Sequence, residues 1–343
     1  MNENTARYDV VVIGGGAAGL SGALILARAR RSVLVVDGGE PRNAPADGVH
    51  GYLGSEGRPP VELLAAGRDE VRSYGGRIRS GRVTDVERDG TGFAVRLADG
   101  GTAHGRRLLV ATGLVDEVPE VPGLAALWGK DVLHCPYCHG WEVRDQPIGV
   151  LNTGPMAVHQ ALMWRQWSDD VTLFLHTAPE PDEEEYEQLA ARGIAVVDGE
   201  VTAVEQDGGR LAGLRLADGT LVRRRALAVA SRLTARVDFL AGLGLKPVAQ
   251  EVAGTVIGTY LAADPTGATE VPGVWVAGNA TNLMEQVIGS AAAGVRAAAA
   301  VNADLIAEET RRAVTARRAP GAFSARAERD VSEQVLGDRR HGI

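Results

Sequence analysis

Cysteine is almost absent from this chain: there are two in 343 residues, Cys135 and Cys138. That excludes a structural disulfide framework. It leaves two thiols separated by two residues, a spacing that in a reducing compartment points to chemistry rather than to stapling. Aromatic residues are scarce, at 4%, and only two of the 36 basic residues are lysines, Lys130 and Lys246. The net charge is −8, which provides no electrostatic footprint for nucleic acid or for an anionic membrane. No stretch of about 18 residues is apolar and free of charge, so no membrane span is expected. Residues 10–26 are apolar but broken by three consecutive glycines, and read as strand, loop and helix rather than as a signal sequence. The expected compartment is the cytosol, and no metal site is expected.

What is abundant is glycine, 44 residues without a collagen period, which implies many tight turns and close backbone approaches. The length suggests two domains, at about 150 residues each. The first segment reads cleanly. Tyr8 to Ile13 is a buried strand, Gly14-Gly15-Gly16-Ala17-Ala18-Gly19 follows, then an apolar helix to about Arg30, and a second strand, Ser32 to Val36, ends at Asp37. This is a βαβ unit with G-x-G-x-x-G and an acid 18 positions beyond the last glycine. Gly14 permits the tight turn, Gly16 lets a pyrophosphate approach the backbone, and Gly19 lets helix and strand pack closely. The helix start, with Ala17 and Ala18, offers N–H groups to phosphate, and Asp37 can accept hydrogen bonds from a ribose.

Further along, residues 61–74 read as a helix and 77–99 as two or three alternating strands. Leu108 to Gly113 is a strand running into a small-residue turn. Gln146 to Val171 repeats the opening strand, turn, helix and strand, and residues 197–230 again form a meander and a closing strand. The expected fold is α/β, with two Rossmann-like domains of three-layer ββα type. The expected boundaries are 1–118 plus 248–310 for one domain and 119–247 for the other, inserted in the first, with 311–343 as a tail. Residues 286–307 read as a long Ala-rich helix.

The string Cys135-Pro136-Tyr137-Cys138-His139 admits several chemistries: a redox pair, half of a zinc site, a haem attachment string, or inert buried thiols. A helix start favours the thiolate of the exposed sulfur, and His134 and His139 flank the pair with groups that titrate near neutrality. The set of motifs in order decides among these. With the opening glycine loop, Ala111-Thr112-Gly113, the C-x-x-C, and Val271-Pro272-Gly273-Val274-Trp275-Val276-Ala277-Gly278-Asn279, residues 7–310 resemble the low-molecular-weight thioredoxin reductases and their relatives. The resemblance implies FAD as cofactor and a homodimer. It places Asn43, His50, Gly278, Asn279, Gln286 and Val287 near FAD, with Asn279 where the family usually has Asp. It also implies that Cys138 lies against the flavin and Cys135 exchanges with substrate. His139 stands where a reductase has an acidic Asp, and this Cys-His-Gly version is closer to the dithiol oxidases of disulfide natural products, of the gliotoxin and holomycin type.

The second nucleotide motif departs from a reductase. It reads Asn152-Thr153-Gly154-Pro155-Met156-Ala157: the first Gly is Asn, and Pro155 removes a backbone donor. After the next strand stands His176-Thr177-Ala178-Pro179-Glu180-Pro181-Asp182-Glu183-Glu184-Glu185, five acids where a reductase grips the 2′-phosphate of NADPH with arginines. The run also suits a solvated helix start, and Met163, Trp164 and Trp167 suit the core. The expected function is an FAD-dependent oxidase of a small-molecule dithiol with O2 as acceptor. The alternatives are a thioredoxin reductase acting on a thioredoxin-like protein, and a flavin redox sensor. The tail either covers the partner subunit's active site or is a loose terminus.

Overall fold

The structure, a computed structural model, describes residues 6–318 and 324–336. The strand Arg7–Ile13 lies at the centre of the first sheet, and Val10, Val11 and Val12 are fully buried. A strand covered on both faces reads as a continuous apolar run, which is why Val-Val-Val-Ile takes this place. It pairs in parallel with Val33–Asp37 on one side and with Thr102–Val110 on the other, and Arg77–Ser80 extends the sheet beyond Val33–Asp37. On its other edge Thr102–Val110 has two partners in turn. Its first residues pair antiparallel with Gly92–Leu97, which pairs with Val83–Asp89, and this is the meander. Its last residues, Leu108 to Val110, pair in parallel with Val274–Val276. The chain's two ends thus build one sheet.

The second sheet has five parallel strands in the order Ala195–Val197, Val171–Phe174, Ile148–Leu151, Ala226–Val229 and Val132–Leu133. Helices Ala157–Trp164 and Glu183–Ala191 belong to it, and a three-stranded meander, Val201–Asp207, Arg210–Leu216 and Leu221–Arg223, covers its other side. Trp164 is fully buried in this core. The fold is therefore α/β, with two Rossmann-like units.

The two passages of chain between these sheets are themselves strands. Leu114–Glu117 leads out and Arg232–Ala235 leads back, and they pair antiparallel. The return strand also pairs with Thr255–Tyr260, which pairs with Val248–Val252, so a four-stranded sheet bridges the two units. These crossing strands had no periodicity long enough to be read from sequence.

The Ala-rich helix runs from Val287 to Arg318, past the expected end at Ala307, and a separate helix spans Ala325–Leu336. Within the tail 311–343, residues 319–323 and 337–343 lie outside the described residues, as do 1–5. Among the described residues no helix is long and apolar enough to cross a membrane.

Charge fastens the long helix to the first sheet. Arg107, nearly buried, bonds Asp304 (2.5 Å) and Glu308 (2.6 Å), while Arg31 (2.6 Å) and Arg106 (2.8 Å) both bond Glu309. Arg31 first, then Arg106, holds the Glu309 carboxyl down to about 2 from an ordinary 4.5. A carboxylate depressed in the folded state stabilises above its unfolded value, so this contribution is complete above pH 4.5 and is lost as the pH falls towards 2. Arg107→Ala leaves Asp304 without this partner and Glu308 with Arg106 and Arg312 alone, and is expected to cost about 2 kcal/mol in a urea titration at pH 7. The same titration at pH 3 is expected to show a smaller difference.

Candidate functional site

The opening strand, turn and helix form one wall of a cavity of about 1900 Å3. A single small-ligand site takes roughly 300–1,000 Å3, so this space suits a long dinucleotide together with a second reactant. The glycine loop divides into structural and ligand-facing positions. Gly14 has φ +110°, and a Cβ there would stand 2.3 Å from the Ala111 carbonyl oxygen. A Cβ on Gly19 would stand 1.9 Å from the Gly14 oxygen. At Gly16 a Cβ would meet nothing within 4 Å of protein, because it would point into the cavity. That opening is what a phosphate approaching the backbone requires, so the residues present fit a dinucleotide.

At the end of the second strand, Asp37 is held in place. Its carboxylate accepts from the Gly15 N–H (3.3 Å), the Gly39 N–H (3.1 Å) and Arg68 (2.8 Å). Ala17, Ala18, Asn43, His50, Ala111, Thr112, Gly113, Gly278, Asn279, Gln286 and Val287 line the same cavity. Of the residues expected to hold the cofactor, Gly19 does not line the wall; it is a packing residue, since its missing Cβ admits the Gly14 carbonyl rather than a ligand. The long helix begins at Val287 and directs its N-terminus into the cavity beside Gln286.

Asn279 acquires a physical reason. Its Nδ2 donates to the carbonyls of Asn282 (3.1 Å), Leu283 (3.2 Å) and Glu285 (2.9 Å), gathering the loop that leads into the helix. A carboxylate has no hydrogen to give and would face three carbonyl oxygens. The Oδ1 atom is left directed at Arg42, 3.5 Å away.

The cysteine pair lies on the same cavity. Cys135 is the N-cap of a single helical turn, Pro136–His139, and Pro136 at the first position suits a helix start. Trp167 packs beneath: a Cβ on Gly140 would come within 2.8 Å of its ring, and Tyr137 meets that ring edge-on at 5.6 Å. Both sulfurs are half-buried. The Cys138 thiol donates to Cys135, and the backbone N–H groups of Cys138 and Tyr137 add to it, so the Cys135 thiol is held down to about 7 against the opposing effect of burial. Cys138, the donor, is pushed up. The first proton therefore leaves Cys135.

His134 donates from Nδ1 to the Val229 carbonyl (3.4 Å), the tautomer that keeps the lone pair on Nε2. Burial lowers both His134 and His139; Arg42 adds to the effect at His134, and Glu142 opposes it at His139. Both imidazoles are neutral at pH 7 and are able to take a proton. His50 reaches Glu56 at 2.6 Å through Nδ1 and lies 3.6 Å from Glu142 through Nε2, so it spans from the first unit to the segment after the cysteines.

The second glycine turn is tied up internally. Asn152 is buried; its Nδ2 donates to Pro179 O (3.0 Å) and its Oδ1 accepts the Gly154 N–H (3.1 Å), which is the donor a phosphate would use. His176, in left-handed conformation (φ +54°), accepts the Val201 N–H through Nδ1 (3.1 Å). The helix at Glu183 caps itself: Asp182 accepts the Glu185 N–H (2.8 Å) and Glu185 accepts the Asp182 N–H (3.0 Å).

Several lining residues were missed in the sequence. Arg42, Asp116 and Ser231 form a bonded group on the cavity wall, and Arg68 braces Asp37. None belongs to a spaced motif, since each is brought in from a loop, helix or crossing strand that only the fold juxtaposes.

The pyridine nucleotide-disulphide oxidoreductase family matches residues 8–298. Thioredoxin reductase tcpT of Claviceps purpurea is 31% identical over 88% of this chain and 95% of its own. Thioredoxin reductase aclD of Aspergillus oryzae is 31% identical over 88% of this chain and 98% of its own. Among solved structures, the crystal structure of HlmI is 46% identical, with a TM-score of 0.83 over 90% of this chain and 96% of that one.

Two substitutions separate the roles within the glycine loop. Gly16→Ala is expected to fold with an unchanged melting temperature of the apo-protein but to lose the visible absorbance of bound cofactor. Gly19→Ala is expected to lower that melting temperature itself, because its Cβ collides with backbone. Asn279→Asp is expected to cost about 2 kcal/mol by denaturant titration, through the Leu283 and Glu285 carbonyls losing this donor.

Proposed function

The chain belongs to the pyridine nucleotide-disulphide oxidoreductase family, an FAD-binding oxidoreductase like the thioredoxin reductases, and from that premise we propose that it oxidises a small-molecule dithiol to its disulfide. The observation that carries this reading is the internally occupied second turn, in which Asn152 holds the Gly154 N–H and Pro155 has none to offer. A nicotinamide donor has no cradle there, so electrons enter from the sulfur side.

The residues act by thiol–disulfide exchange. With Cys135 and Cys138 joined, one substrate thiolate attacks the Cys135 sulfur, and the Cys135–Cys138 bond breaks. Cys138 leaves with the electron pair. The second substrate thiolate then attacks the substrate sulfur of the mixed disulfide. The product disulfide forms, and Cys135 leaves as thiolate, the state its surroundings favour. His139 and His134, neutral at pH 7, take the protons given up by the two substrate thiols. FAD bound here would supply a two-electron acceptor for the dithiol, with O2 as the proposed final acceptor, reduced to hydrogen peroxide. Gly16, Asp37, Asn43, His50, Thr112, Asn279 and Gln286 are the residues that would hold it. The active unit is a homodimer.

A second reading, reduction of a thioredoxin-like protein by a nicotinamide or other donor, is favoured by the name thioredoxin reductase carried by the curated relatives. Anaerobic reduction distinguishes the two. The FAD-loaded protein is expected to bleach rapidly with dithiol and to consume O2 on re-aeration, while NADPH and NADH bleach it slowly and without saturation. Fast, saturable bleaching by either nucleotide would establish the reductase instead. His139→Gln is expected to slow dithiol-driven bleaching about 100-fold at pH 7.

A further inference from the structure

One half-buried group on the cavity wall has no part in the exchange just described. Arg42 stands on the loop after Asp37, in the first unit. Its guanidinium grips Asp116 with two parallel bonds, Nε to Oδ2 at 2.7 Å and Nη2 to Oδ1 at 2.7 Å. Asp116 lies on the outgoing crossing strand with 8% of its side chain exposed, and it also accepts from the Ser231 hydroxyl (2.8 Å) at the start of the return strand. Arg42 therefore ties the first unit to both crossings at once. The third guanidinium nitrogen faces Asn279 Oδ1. Two residues before Ser231, the Val229 carbonyl holds His134, the neighbour of Cys135. Arg42, Asp116, Ser231, His134, Cys135 and Cys138 all line the one cavity.

A planar, permanently charged fork pinned on one side by a buried carboxylate has little freedom left to turn away. Both sulfurs and His134 feel it: Arg42 lowers Cys135, Cys138 and His134. The other groups facing the pair are neutral imidazoles, His134 and His139, with Glu142, His50 and Asp47 acting on His139. Arg42 is the permanent cation of this set.

We propose that Arg42 is a positioning residue for the Cys135–Cys138 pair, held by Asp116 and Ser231 so that a fixed positive charge faces the dithiol and favours its thiolate. This rests on the pair being redox-active, and it holds whichever way electrons run. Asp116 has two opposed effects: it keeps the guanidinium in place, and it cancels part of its charge.

The test reads the thiolate directly. FAD-loaded protein is reduced anaerobically with dithiothreitol, freed of it, and alkylated with iodoacetamide from pH 5 to 9, with Cys135 followed by mass spectrometry. The unsubstituted protein is expected to show a midpoint of about 7. Arg42→Gln is expected to move that midpoint up by about one unit, a roughly tenfold loss of rate at pH 6. Arg42→Lys is expected to restore most of it. Asp116→Asn, which removes the counter-charge and leaves one oxygen to accept from the guanidinium, is expected to move the midpoint down. A merely structural clamp would make Arg42→Gln and Asp116→Asn shift it in the same direction. That result, or an unmoved midpoint in Arg42→Gln, would overturn the proposal, as would loss of bound FAD in Arg42→Gln with the midpoint unchanged in Arg42→Lys and Asp116→Asn. Dithiol or nucleotide bleaching of the same preparations reports on the direction of electron flow and leaves this measurement untouched.

Discussion

Two short strands running in opposite directions, Leu114–Glu117 and Arg232–Ala235, carry the chain from one Rossmann-like unit to the other and back. Their pairing determines where the single helical turn Pro136–His139 stands relative to the glycine loop. Were the crossings independent loops, the cysteines and the dinucleotide cleft would be joined only by a tether. As a paired strand ladder continued by Thr255–Tyr260, they form part of a sheet, and the sulfurs share a cavity with Gly16 and Asn279. Asp116 and Ser231 lie on or beside these strands and take hold of Arg42, so the joint between the units is both hydrogen-bonded and ionic.

The chemistry of the pair follows from that placement. A dithiol with both sulfurs half-buried would resist ionisation through desolvation alone. Here the second thiol and two backbone N–H groups stabilise charge on Cys135, so the two sulfurs become unequal before any ligand arrives. Burial keeps the flanking imidazoles neutral, and so able to act as proton acceptors at physiological pH. Inequality of the sulfurs and neutrality of the bases are what thiol exchange asks of a site.

The two nucleotide-type turns differ in what their backbone donors already bond. In the first, a missing Cβ at Gly16 leaves open space, and the acid at the next strand end is held ready by Arg68. In the second, the strand, turn and helix are retained, but Asn152 fills the turn with its own amide and the following helix is capped by its own acids. A donor already bonded to protein offers a phosphate little, because the existing bond must be given up first.

The βαβ unit, its glycine loop, Asp37, the repeated second unit and the C-x-x-C were all legible in the sequence, since each depends on local period or fixed spacing, and local sterics act over a few residues. The substituted second turn was legible for the same reason: a proline lacks its N–H wherever it stands. The crossing strands were not legible, being four residues each and paired to one another across more than a hundred positions. The meeting of Arg42 with Asp116 and Ser231, the three carbonyls gathered by Asn279, and the unequal sulfurs were decided only by tertiary structure. Each is a hydrogen-bond or Coulomb interaction whose strength depends on distance in space, and spacing along the chain carries no information about that distance.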